Sequence, residues 1–173
     1  MDFELHPAIT LGFRAFHVFV APVQMLVEAL NSHLNLQRFE VLYVCGNYSR
    51  IILSGLDRRF TALEVRRAFT AFQLMTILEE NRHTLLILEH DPLLYEDARE
   101  MVEYVALAMK EASKSSIVLL YSTASDPFLE EMINYADRVF YFAEGPRATT
   151  RPSAKNYRKA QAGFASQTTL GTF

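Results

Sequence analysis

Two short runs, TLLILE (84–89) and SIVLLY (116–121), constrain the fold of this chain most. A strand with one wet face alternates apolar and polar residues. A run that stays apolar throughout predicts a strand covered on both sides, as in a parallel sheet between helical layers. The segments around these runs supply the helices. Phe16–Val20 is a third apolar strand, stopping at Ala21-Pro22, with Pro22 placed to open a helix carrying Met25, Leu26, Ala29 and Leu30. Glu40–Cys45 is a fourth, ended by the turn signal Gly46-Asn47, and Arg50–Leu53 is a short strand or loop segment.

Thr61 and Glu64 have the spacing of a capping box, which predicts a long helix burying Val65, Phe69, Phe72 and Leu74 to Leu78. A second helix is expected over Tyr95–Lys114, with Met101, Val102, Val105, Ala108 and Met109 on one stripe. Pro127 opens a short helix through Ile133, and Val139–Phe142 is the last strand. Repeating β-α units of this kind predict an α/β fold with a mostly parallel sheet. No internal repeat is present.

The chain has 173 residues, half of them apolar and 21% charged, enough for one domain with a substantial core. No apolar run approaches the length of a membrane span, and the acidic start MDFELHPAITLGF does not read as a secretory signal. Cys45 is the single cysteine, so an internal disulfide is excluded and a reducing, cytoplasmic setting is expected. Charge is divided unevenly. Residues 1–144 hold all 20 acids against 12 Lys/Arg, a net of −8, whereas 145–173 hold Arg147, Arg151, Lys155, Arg158 and Lys159 and no acid, a net of +5. The domain is expected over 1–144, ending before Gly145-Pro146, with a basic flexible linker over 145–166. That linker has the charge for weak, salt-sensitive phosphate or DNA contact, or simply for staying solvated.

The last seven residues are Gln167-Thr168-Thr169-Leu170-Gly171-Thr172-Phe173. In a 3₁₀ turn, residues three apart eclipse, so Leu170 and Phe173 project from one side. Each would gain roughly 1.5–3 kcal/mol on entering an apolar groove. Gln167 offers both a donor and an acceptor to a polar pocket beside them, while Thr168 and Thr169 can run along a sheet edge. These anchors resemble the peptide (PIP box) that fastens replication and repair proteins to the sliding clamp, PCNA. The resemblance implies a clamp homotrimer as partner. Such motifs usually carry a second aromatic, and none follows Phe173, so a weakened complex is expected. The alternative is that Leu170 and Phe173 tuck against their own domain.

The body also carries a resemblance. VRRAFTAFQLMTIL (65–78) looks like the helix after the second core strand of archaeal RadA and related RecA-superfamily proteins, TLLILEHDPLLYE (84–96) like their Walker B region, and SSIVLLYS (115–122) like the strand that follows. It implies a three-layer RecA-like core. The family's phosphate loop needs glycines for close backbone approach and a lysine; here the equivalent residues are Phe19-Val20-Ala21-Pro22-Val23-Gln24, and the expected catalytic glutamate is replaced by Cys45-Gly46-Asn47. Pro22, Val23, Glu89 and Asp91 are thus expected to form a vestigial nucleotide site, with no cofactor and no catalysis. A carboxylate at Glu89 has little to do without phosphates; the alternative is that it is solvated or paired with an arginine.

His6, His17, His33, His83 and His90 lack metal-type spacing. Ser54 and Ser122-Thr123 lack a neighbouring His–Asp pattern. Arg58, Arg59, Arg66 and Arg67 suggest a basic face that is either solvated or paired with acids such as Glu64. The sequence therefore predicts a pseudo-ATPase that works as a sliding-clamp accessory protein in DNA replication or repair, its body docking a polymerase, nuclease or RadA-like recombinase. The alternatives are a recombinase paralogue acting on filaments or single-stranded DNA without a clamp, and an active nucleotide hydrolase with an unusual loop.

Overall fold

The computed structural model describes residues 2–32, 38–46, 55–56 and 63–142. Its centre is a parallel sheet of six strands: β3 (Ala15–Val20), β4 (Val41–Cys45), β5 (Leu63–Arg67), β6 (Leu85–Glu89), β7 (Ile117–Ser122) and β8 (Arg138–Tyr141), in the order β5-β4-β6-β7-β3-β8. Every neighbouring pair runs parallel, with Glu89 opposite Tyr121 and Val20 opposite both Ser122 and Tyr141. All six residues of β7 are buried, as its unbroken apolar run requires.

The residues of β3, β4, β6, β7 and β8 divide between two cores. Val18, Leu42, Leu86 and Val118 pack under α2 (Ala71–Glu79), α3 (Met101–Ala112) and α4 (Pro127–Ile133). On the opposite face Phe19, Tyr43, Ile87 and Leu119 pack with α1 (Val23–Ser32) and an antiparallel hairpin, β1 (Phe3–His6) and β2 (Ile9–Leu11). The result is three layers with the sheet in the middle. The hairpin buries Phe3, Leu5, Ile9 and Leu11 and leaves Glu4 and Thr10 outside, a period of two.

The region after β4 departs from expectation. Leu63–Arg67 is not the start of a helix but the edge strand β5, paired with β4. The helix begins at Ala71, where Thr70 Oγ1 accepts from Gln73 N (3.2 Å) and Gln73 Oε1 accepts from Phe69 N (2.8 Å). Thr70-Ala71-Phe72-Gln73 repeats the pattern of Thr61-Ala62-Leu63-Glu64, and the later copy is the one that caps. The segment 65–78 is therefore a strand end, a turn and a helix, and Val65, Phe69 and Phe72 are exposed rather than buried.

The second helix is shorter than its apolar stripe suggested. Asp91 caps a 3₁₀ turn at Pro92–Leu94, and turns carry the chain to Met101. The expected segment Arg50–Leu53, Thr61, the linker 145–166 and the peptide 167–173 lie outside the described residues.

Candidate functional site

Parallel sheets place ligands beyond the carboxyl ends of their strands, here the segments after β3, β4, β6 and β7. The segment after β3 is closed by β7 and by the first turn of α1. Ala21 N donates to Ser122 O (3.0 Å), and Ala21 O accepts from the Tyr121 hydroxyl (2.9 Å). Pro22 has no N–H to offer, and its carbonyl takes Met25 N (3.0 Å) in the first turn of α1. Ala21 and Tyr121 are both fully buried. Burial, with the Glu89 carboxylate alongside, raises the Tyr121 phenol to about 12, so it keeps the proton it donates. Val23 packs against the apolar core on the α1 side.

Glu89 ends β6, one strand removed from β3, and its Oε2 accepts from the buried Tyr43 hydroxyl (2.9 Å). Tyr121, between these two strands, is hydrogen-bonded to Ala21 and paired in register with Glu89. Asp91 shapes the turn that follows β6. Its Oδ1 accepts from Leu93 N (3.1 Å), while the side chain packs onto Gly46. A Cβ at position 46 would lie 2.1 Å from Asp91 Oδ2. Gly46→Ala is expected to displace the carboxylate and cost about 1–3 kcal/mol, as overpacking does. Urea unfolding checks this, and an unchanged midpoint would contradict it.

A further pair at this edge, His90 and Asp126, is not among the residues expected from the sequence. His90 Nε2 meets Asp126 Oδ2 at 2.6 Å, and its ring stacks on Tyr95 with centroids 6.1 Å apart. Asp126 Oδ1 accepts from Phe128 N (2.8 Å) and Leu129 N (3.1 Å), capping α4. The two caps, though not the His90 contact, are signalled in the sequence: Asp91-Pro92 and Asp126-Pro127 are both an aspartate cap followed by proline at the first helical position. The His90 side chain is 1% exposed, and its Nδ1 has no hydrogen-bond partner.

Burial holds His90 below the ordinary imidazole range although Asp126 and Asp91 pull upward, and burial lowers His17 in the same way. Unfolded chains bind protons at both positions as pH falls through about 6.5, while the folded chain resists. Their contribution to stability is therefore fully present above that pH and is lost progressively as pH falls below it. The urea midpoint is expected to fall between pH 7.5 and 5.5, and a constant or rising midpoint would contradict the assignment.

The segments after β6 and β7 are strongly acidic. Residues 89–103 and 126–131 carry nine acids (Glu89, Asp91, Glu96, Asp97, Glu100, Glu103, Asp126, Glu130 and Glu131) and one cation, Arg99. A field of that sign disfavours phosphate beside those two segments. Among the described residues no group of three or more His, Cys, Asp or Glu is placed to hold a metal ion, and no helix is long and apolar enough to cross a membrane. Arg66 is paired with Glu64 (2.7 Å) and Glu80 (3.1 Å). With Arg67, Phe69, Gln73, Thr76 and Ile77 it lines an open groove of about 400 Å³ beside the edge strand β5. The clamp-type residues Gln167, Thr168, Thr169, Leu170 and Phe173, and the linker cations Arg147, Arg151, Lys155, Arg158 and Lys159, lie outside the described residues.

No family model matches the chain. It is similar to an uncharacterized protein of Archaeoglobus fulgidus, 32% identical over 127 residues. The match takes in 73% of this chain but 64% of that protein, so the chain spans less than two thirds of the relative's length.

Proposed function

We propose that this chain is a non-catalytic accessory protein of DNA replication or repair, attached to the sliding clamp (PCNA) through Gln167, Leu170 and Phe173. The observation that carries the non-catalytic half is the filled loop after β3. Its backbone groups bond to Tyr121, Ser122 and Met25, and the acids beyond β6 and β7 oppose a triphosphate. The strand order supports kinship with a degenerate RecA-like core, since the strand bearing Glu89 and the strand leading to Pro22 are separated by one strand, β7. The clamp half rests on the spacing and chemistry of 167–173. Tethering to a ring with several equivalent sites offsets a modest affinity at each.

The rival, a recombinase paralogue, gains one observation. Edge strand β5 is flanked by exposed Phe69 and Phe72, an apolar surface beside a sheet edge. The same surface suits a polymerase or nuclease docking on a clamp-tethered body. Co-elution of the full chain with the clamp, and with a RadA-type recombinase, separates the two. Clamp binding with no ATP turnover supports the first, whereas recombinase binding without clamp binding supports the second.

A further inference from the structure

We propose that the basic segment 147–159 docks on the outer face of α3 in the same molecule, a clasp between the linker and the body. Outside residues 89–103 and 126–131 the body holds 11 acids and 11 Lys/Arg, so its whole net charge of −8 lies on those two segments. They surround the amino-terminal end of α3 and include α4, which packs beside it.

The outward stripe of α3 has the matching character. Glu100, Tyr104, Leu107 and Glu111 follow one another at spacings of four, three and four, so they line one side of the helix. Tyr104 is 58% exposed and Leu107 47%, an apolar pair between acids. The inward residues Val102, Val105, Ala106 and Met109 are buried in the core.

The described chain ends where such a contact is within reach. At the start of β8, Asp137 bonds to Phe16 N (2.8 Å) and to Lys110 of α3. From there β8 runs parallel to β3, and Phe142 N donates to Val20 O (2.8 Å) at the acidic end of the sheet. Arg147 follows five residues later and Lys159 seventeen. At up to roughly 3.4 Å per residue the segment can cover a helix of this length, about 18 Å. Lys155-Asn156-Tyr157-Arg158-Lys159 sets an aromatic between cations, the complement of Tyr104 and Leu107 between glutamates. Its five charges with no acid answer the net charge concentrated on those two body segments.

The consequence for clamp access rests on the function proposed above; the contact itself does not. Docked, the clasp draws 167–173 toward the body, and DNA phosphates would compete for the same five cations.

Zero-length carbodiimide cross-linking of the full chain, without clamp, tests the contact. Lys155 and Lys159 are expected to cross-link within one molecule to Glu100, Glu103 or Glu111 in about 50 mM salt, where surface charges are weakly screened. The yield should fall roughly fivefold or more in about 0.5 M salt and in Tyr104→Ala/Leu107→Ala, which keeps every carboxylate. Tryptic cleavage after Arg147 and Lys155 should accelerate by a similar factor in that variant. Cross-links spread evenly to acids on other faces, such as Glu28 and Glu79, would overturn the clasp. So would links formed only between copies, or none. Because clamp is absent, these outcomes leave the clamp assignment standing or falling on its own test.

Discussion

Asp126→Ala is expected to destabilise the body by about 2–4 kcal/mol, among the largest effects of any single change at the carboxyl edge of the sheet. The side chain meets three groups at once: Phe128 N, Leu129 N and the His90 ring. Removing a helix cap costs about 0.5–2 kcal/mol. His90 is then left buried with neither ring nitrogen satisfied, since Nδ1 has no partner already, and an orphaned buried donor costs about 1–3 kcal/mol. Asp126→Asn retains an oxygen for the cap and should lose about half as much. Urea unfolding at pH 7.5 measures both. Equal stability of the alanine variant and the parent would show that the pair does not fasten α4 to β6.

The second large effect is on binding. Leu170→Ala/Phe173→Ala should weaken clamp association roughly a hundredfold or more, because each anchor contributes roughly 1.5–3 kcal/mol in a groove. Gln167→Ala should cost less, having removed a polar contact rather than an apolar plug. The unfolding midpoint should not change in either variant, which separates loss of a docking peptide from loss of the domain. Retained affinity in the double variant, measured by fluorescence anisotropy, would place the clamp contact elsewhere or nowhere.

The fold was legible where burial is two-sided. β6 and β7 announce themselves because nearly every position must be apolar. The short helix α4 was readable from Pro127 alone. β5 was not, because an edge strand needs no continuous apolar run, and Leu63-Glu64-Val65-Arg66 alternates over only four residues before Arg67 breaks the pattern. A false capping pattern nine residues before the true one draws the helix start forward. Cap chemistry is local, whereas the pairing that makes 63–67 a strand comes from β4, distant in sequence. The hairpin β1–β2 carries a visible period of two in Phe3, Leu5, Ile9 and Leu11, which reading that segment for charge alone passes over.

The site divides along the same line. The missing glycines and lysine after β3 are visible in sequence, and the same residues show Pro22 and Val23 opening α1. The groups that close this edge come from other strands: Tyr121 onto Ala21, Tyr43 onto Glu89, Asp126 onto His90. These contacts join residues 100, 46 and 36 positions apart. Only folding brings them together, and no spacing rule in the chain announces them.

The proposed attachment without chemistry joins the filled loop after β3 to the peptide 167–173. Its most direct test is calorimetric titration of the full chain into purified clamp trimer, with ATP turnover assayed in the same preparation. A saturable signal at one chain per clamp subunit, with no hydrolysis, is the expected result. A flat titration against intact clamp, or turnover that co-purifies with the protein and disappears on Glu89→Gln, would contradict it.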